Sequence, residues 1–324
     1  MSSQESEIEV DLSSDPEYAS SYHTDTTSLS SSINEYVFEN GRRYHSYFGV
    51  EKNLMPTDEK EQDRLDLHHE ILIRLFDGRL HKAPLDHPQR ILDVGTGTGI
   101  WAIDMADQYP MAEVVGMDLS PIQPKWVPPN CKFEVDDAEK DWAYKKDSFD
   151  FIHIRNLAQG ISNWPKVLDD AYHCLQPGGY IELSDTGVTF HCDDGTMLPD
   201  NTAKCWGEAM TEAMAKAGRP PPSDARHLRD RLTAAGLVDV HSYAIKQPFG
   251  PWAKDKRLKE AGIMIWIMAE EGFTSYGLAA FTRMLGMDSE EAAKLCRDGY
   301  QATRERKSHL YTVHYVAYGR KPEE

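Results

Sequence analysis

The sequence predicts an α/β domain built on a mostly parallel, seven-stranded sheet with helices on both faces. Three observations carry that expectation. From about residue 90 onward, short apolar runs alternate with helical stretches, as they do where helical crossovers connect parallel strands. The first run, Arg90-Ile-Leu-Asp-Val94, passes through Gly95-Thr-Gly-Thr-Gly99 into an apolar helix, which reads as strand, tight turn and helix start. Pro177-Gly178-Gly179 stops a helix and turns the chain into another apolar run.

Taken in order, residues 1–35 are dominated by Ser, Thr, Asp and Glu and cannot bury enough surface to offset ordering, so they read as a disordered acidic tail. Serine runs such as Ser28 to Ser32 are either phosphorylation targets or plain solubilising sequence. The ordered domain is expected over 36–324. It opens on the aromatic and basic segment Asn40 to Phe48, followed by a helix from about Asp58 whose apolar face is Leu65, Leu67, Ile71, Leu72 and Leu75. Gly78 and the region Pro84 to Pro88 close that helix. Strands are expected at 90–94, 113–117, 132–135, 149–154 and 180–184, and helices at 99–108, 164–175 and 203–217. A second helix–strand unit follows, with Ala225 to Ala235 helical, Gly236 as its cap and Val238 to Ile245 extended. The alternating run Leu310 to Tyr318 supplies the last strand. Between these, residues about 251–307 read as a helical insertion that caps the ligand edge of the sheet; its Met and Trp residues read mainly as packing.

The whole chain sets further bounds. With 324 residues, 40% hydrophobic, it has ample length for a buried core. A formal net charge of −18 argues against direct nucleic-acid binding, which relies on basic side chains displacing phosphate counterions. No apolar run approaches a membrane span and no signal-peptide pattern opens the chain, so an intracellular protein, cytoplasmic and/or nuclear, is expected. Cys131, Cys174, Cys192, Cys205 and Cys296 are widely spaced without zinc-type pairing, so reduced thiols and no metal site are expected.

The glycine turn points to a nucleotide-type ligand. Glycines let backbone N–H groups and the start of the next helix approach a ligand closely. Asp118, ending the run Ala112 to Asp118 about 20 residues on, stands where a carboxylate accepts ribose hydroxyl hydrogens. A dinucleotide turn spaces its glycines G-x-G-x-x-G; here the third comes one residue early and the strand closes on Asp93. A carboxylate there would repel a pyrophosphate and suits a ligand bearing an ammonium and a sulfonium, as S-adenosylmethionine (SAM) does.

Leu92-Asp-Val-Gly-Thr-Gly-Thr-Gly99 resembles motif I of class I SAM-dependent methyltransferases. Further matches follow in order: Asp118, then Asp136-Asp137-Ala138, Asp147-Ser-Phe-Asp-Phe-Ile-His153 and Leu175-Gln-Pro-Gly-Gly179. The resemblance implies the Rossmann-like fold of that class and SAM as cofactor. It implies a cofactor site of Asp93, Gly95, Thr96, Gly97, Gly99, Asp118, Leu119, Asp136, Asp137, Ala138, Arg155 and Tyr44. Asp137, with Asp136 as rival, would meet the adenine amino group, and Tyr44, Tyr47 and Arg64 are candidates near the methionine end.

Positions at the carboxyl ends of the fourth and fifth strands should border the transferred methyl group, so Arg155, Asn156 and Asp185 are the catalytic candidates. Arg155 serves equally as a structural ion pair or a substrate carboxylate clamp; His153 reads as a hydrogen-bonded sheet histidine. No Asn-Pro-Pro-Tyr element follows strand four, so amino-adenine methylation is not indicated. Tyr44-His-Ser-Tyr47, Asp63-Arg-Leu-Asp-Leu-His-His69, Gly99-Ile-Trp-Ala-Ile-Asp104, Asp118-Leu-Ser-Pro121, Ile154-Arg-Asn156 and Trp164 further resemble the fungal LaeA-like group of methyltransferase-domain proteins. That resemblance implies either an enzyme with a small-molecule or protein acceptor, or a regulator that binds velvet-type proteins.

Overall fold

The computed structural model describes residues 35–50, 52–305 and 307–323. The expected acidic tail lies outside them, apart from Glu35. An antiparallel hairpin, β1 (Tyr36–Glu39) and β2 (Arg42–His45), opens the described chain. Its turn holds Asn40 and Gly41 at φ 52° and 74°, the left-handed pair that a two-residue hairpin turn demands. The Asn40-Gly41 dipeptide is the sequence signal for that turn.

Helix α1 (Glu59–Leu75) starts at Asp58, whose side chain accepts from Glu61 N at 3.1 Å and from the Arg42 guanidinium at 2.7 and 2.8 Å. The cap therefore also ties the hairpin to the helix. Then come β3 (Arg90–Val94), α2 (Ile100–Gln108), β4 (Glu113–Asp118), β5 (Cys131–Val135), β6 (Phe149–Arg155), α3 (Trp164–Cys174) and β7 (Leu175–Thr186). They are followed by α4 (Thr202–Lys216), α5 (Ala225–Ala234) and β8 (Val238–Pro248). Helix α6 (Lys256–Ala279), a π-helical turn over Ala280–Leu285 and α7 (Ser289–Thr303) form the expected helical insertion before β9 (Tyr311–Arg320).

The sheet has seven strands in the order β5-β4-β3-β6-β7-β9-β8. The first five are parallel, and β9 runs antiparallel to both β7 and β8. The chain leaves β3 toward β4 on one side and returns to β6 on the other, so the strand order reverses at β3, where open α/β sheets form their ligand crevice. One face packs against α3 and α5 around Val115, Ile152 and Ile181; the other packs against α2 around Trp101 and Met105. A third apolar cluster joins α1, α4, α6 and α7 above the sheet edge.

The largest boundary difference from expectation falls at the start of β7, expected at 180 and found at Leu175; β8 and β9 also run on, to Pro248 and Arg320. Helix α3 ends at Cys174, and Pro177-Gly178-Gly179 lies inside β7 as an irregularity: Leu175 pairs with Phe149 and Tyr180 with Phe151. Gly178 takes φ 80° there, and a Cβ on Gly179 would stand 2.8 Å from the Asp150 carbonyl oxygen. The motif re-aims the strand rather than ending the helix.

Candidate functional site

A cleft of about 1010 Å³, open solvent at its mouth included, lies past the carboxyl ends of β3, β4, β5 and β6. Gly95 and Gly97 line it from the turn after β3, Met117 to Ser120 from β4, and Asp136 to Ala138 from the end of β5. Asn156, Leu157 and Gln159 to Ile161 follow β6, while Lys52 to Thr57, Glu61, Arg64, Leu65 and Tyr276 close it from the N-terminal segment, α1 and α6.

The three turn glycines are required for different reasons. Gly97 has φ 60°, and a Cβ there would project toward Leu65 at 3.5 Å, on the cleft side. At Gly95 (φ 72°) a Cβ would collide with Leu157 at 2.5 Å, and at Gly99 (φ 84°) with the Phe133 ring at 2.3 Å. Gly99 therefore serves close packing under the turn, and neither it nor Thr96 lines the cleft.

Asp118 accepts from Gly97 N at 2.8 Å and from Ser120 N at 2.9 Å, one bond to each oxygen. An ionised carboxylate has about four acceptor sites, so both oxygens retain capacity for a diol. Burial raises its pKa to about 6, against the pull of those backbone bonds. Leu119 stands beside it in the cleft wall. Asp136 accepts from Asp137 N at 2.7 Å; Asp137 accepts from Glu139 N at 3.0 Å and pairs with Lys52 at 3.1 Å.

Asp93 lies elsewhere than its charge suggested. It is 3% exposed, below the cleft floor; the Thr96 hydroxyl donates to Oδ2 at 2.6 Å and His153 Nδ1–H to Oδ1 at 2.7 Å. Trp101 stacks on His153 with ring centroids 3.7 Å apart, and burial pushes the imidazole pKa down to about 4 in spite of Asp93. The pair is a neutral histidine on a carboxylate that fixes the glycine turn from beneath.

The three catalytic candidates are not together. Asn156, at φ 55°, lines the cleft, and its amide contacts His68 Nδ1 at 3.3 Å. Arg155 does not line it; its guanidinium donates to His69 Nδ1 at 3.1 Å, and His69 Nε2–H donates to Asp104 at 2.8 Å, linking β6, α1 and α2. Asp185 is buried outside the cleft, accepts from Ala158 N at 2.8 Å and Thr186 N at 3.0 Å, and has its pKa raised to about 7 by burial. Tyr44 is fully buried beneath Arg283, its hydroxyl pushed to about 12 by burial, and Tyr47 is exposed; neither lines the cleft. Arg64 does, held to Glu61 by two 2.8 Å bonds.

Sequence reasoning missed the segment Lys52 to Thr57, which has no motif, and Tyr276, concealed in an apolar helix. It also missed Gln159, which is 8% exposed and lines the cleft with both amide atoms unpartnered among the described residues. Asn156 Oδ1 and Ser120 Oγ are orphaned in the same way. Buried polar groups normally have partners, so this concentration marks a wall shaped for a polar ligand. The lining carries four carboxylates, Glu61, Asp118, Asp136 and Asp137, against Lys52 and Arg64, which suits the cationic, diol-bearing SAM and not a pyrophosphate.

The family model for a methyltransferase domain matches residues 65–242, and the chain belongs to that family. Among its relatives, methyltransferase pytC of Aspergillus terreus is 42% identical over 295 residues, spanning 89% of this chain and 88% of that protein. Secondary metabolism regulator LAE1 of Cochliobolus heterostrophus is 37% identical over 298 residues, 90% of this chain and 96% of that protein. Protein-methionine methyltransferase laeA of Emericella nidulans is 32% identical over 299 residues, with 91% and 79% covered. The LaeA-like resemblance drawn from the motifs thus stands, and SAM is the methyl donor that the family and the cleft have in common.

Proposed function

We propose that the chain transfers the methyl group of SAM to a small-molecule or protein acceptor inside the cell, in the chemistry or control of fungal secondary metabolism. The observation that carries this reading is the cleft at the strand-order reversal, where unpartnered polar atoms and four carboxylates face one space. When bound, SAM supplies an electrophilic methyl carbon on a sulfonium. In this reading Asp118 holds the ribose diol, Asp137 or Asp136 the adenine amino group, and the amides of Asn156 and Gln159 the methionine end. Lys52 to Thr57 and Tyr276 exclude water from above. Most of the rate gain in such an in-line displacement comes from alignment, so these positioning contacts are the main catalytic contribution of the chain.

Calorimetric titration with SAM and S-adenosylhomocysteine tests the reading, with saturable binding expected for both. Loss of both ligands in a folded protein overturns it. A second reading has its own support, because relatives covering nearly the whole chain are named as regulators. There the fold acts as a scaffold for velvet-type partners, and stoichiometric capture of such partners by a cofactor-site variant with signalling intact would favour it.

A further inference from the structure

The cofactor cleft has a neighbour. Arg64 and Tyr276 line both the cleft and a second chamber of about 580 Å³, open solvent included, set between α6, α4 and the ends of β7, β8 and β9. Its walls are mainly Phe190, Trp206, Phe249, Ile265, Met268 and Phe273. Such a space, apolar with a few fixed polar groups, is the usual form of a small-molecule pocket.

Its electrostatics are selective. The one formal charge among the lining residues is Arg64, and Glu61 neutralises it through the paired 2.8 Å bonds, both side chains being 1% exposed. His68 also faces the chamber; burial first, then Arg64, pushes its pKa well below the ordinary value, so it is neutral at physiological pH. A charged guest would therefore lose its water and meet only a guanidinium whose charge Glu61 already balances, with Nη1 its one unpaired donor.

Three polar atoms of the lining stand without a partner among the described residues, Arg64 Nη1, Trp206 Nε1 and Gln247 Nε2, and of these only Gln247 Nε2 belongs to an uncharged amide. Gln247 is 3% exposed and sits on β8 opposite Thr312 of β9, whose hydroxyl donates to Gln247 Oε1 at 3.4 Å. That contact leaves Nε2 as a buried donor with no partner among the described residues, on the chamber wall. Leaving such a donor unpaired is costly, and a guest oxygen would satisfy it.

We propose that this chamber receives the methyl acceptor, and that the acceptor is an uncharged, mainly aromatic small molecule with an oxygen bound by Gln247 Nε2. The assignment rests on the methyltransferase reading above. The wall shared through Arg64 and Tyr276 places the guest beside the cofactor, and the aromatic walls Phe190, Trp206, Phe249 and Phe273 suit a ring system.

The test is displacement of the neutral fluorescent dye N-phenyl-1-naphthylamine from the full chain saturated with S-adenosylhomocysteine. The competitors are 2-acetylnaphthalene, naphthalene, 2-naphthoate and a short methionine-containing peptide. The ketone should compete at least about tenfold better than the carboxylate and about fivefold better than naphthalene. Gln247→Leu should erase the ketone's advantage over naphthalene. Gly272→Leu should block all competitors by filling the chamber. Gln247→Leu should not alter S-adenosylhomocysteine titration, because Gln247 does not line the cofactor cleft; Gly272→Leu is not used for that control, since a Cβ there would stand 3.9 Å from Arg64 of the shared wall. Naphthoate competing as well as the ketone, or an undiminished ketone preference in Gln247→Leu, would overturn the proposal. So would a methionine peptide that outcompetes the ketone. Failure of S-adenosylhomocysteine to bind at all is a different result and would remove the methyltransferase reading itself.

Discussion

At the scale of single residues, the cleft depends on groups whose roles are separable by substitution. Asp118→Ala removes two acceptors from a ribose diol and two anchors from the backbone at Gly97 and Ser120. Charge-assisted hydrogen bonds contribute about 1.5–3 kcal/mol each, so affinity for S-adenosylhomocysteine should fall at least about tenfold by calorimetry. Unchanged affinity in the folded variant would dismiss Asp118 as a ligand contact. Gly97→Val should be harsher, because a branched residue resists φ 60° and its methyls enter the cleft; titration should show no measurable binding. Glu182, fully buried, accepts from Lys82 N at 2.8 Å and Ala83 N at 2.7 Å, and burial raises its pKa from the ordinary 4.5 to about 7. The folded state therefore keeps a proton that the unfolded chain has released. Its contribution to stability is full below about pH 4.5 and is lost as pH rises through about 7. Glu182→Gln cannot ionise and should be the more stable form at pH 8, by up to about 3 kcal/mol, with little advantage near pH 4.5. Denaturant unfolding at the two pH values checks the sign.

At the scale of elements, the strands were legible because parallel strands buried on both faces are continuous apolar runs bounded by Gly and Pro. Ile91, Leu92 and Val94 of β3 are wholly buried, and the sequence marks that strand at its observed limits. What the sequence lacked was direction. Asp93 looked like a ligand for positive charge, yet its neighbours across the sheet and turn, His153 and Thr96, take both oxygens. Likewise, nothing in Lys52-Asn-Leu-Met-Pro-Thr57 announces a cleft wall, since it is held there by contacts distant in sequence. Lys52 pairs with Asp137 at 3.1 Å and Glu139 at 2.8 Å, and Arg219 donates to the Gln159 carbonyl at 3.0 Å nearby. Burial opposes ionisation of Glu139, but Lys52 and the amides of Ser162 and Asn163 bring its pKa down to about 2. Lys52→Met should free this segment at neutral pH. Hydrogen exchange over 52–57 should quicken, and cofactor affinity should drop several-fold, as for loss of a partly exposed ion pair of about 1 kcal/mol. Unaltered exchange would show that the clamp is dispensable.

At the scale of the whole molecule, the site belongs to no single layer: the sheet supplies its floor, α1 one flank and the inserted α6 its roof. Ligand binding should therefore stabilise elements far apart in sequence. Saturating S-adenosylhomocysteine should slow hydrogen exchange in both 52–57 and the part of α6 around Tyr276, and protection confined to the glycine turn would contradict that geometry. Arg42 shows how far this integration goes. From the opening hairpin it grips Asp58 at the start of α1 at 2.7 Å, reaches Ser275 at 3.3 Å and pairs with Glu271, both on α6. The stretch matched by the family model, 65–242, omits all of these residues. For anyone exchanging parts between such proteins, the portable module is the span from the hairpin through β9. A graft cut at the family boundaries would transplant the cofactor floor and the wall from Asp118 to Ile161 while leaving Lys52 to Thr57, Glu61, Arg64 and the roof behind.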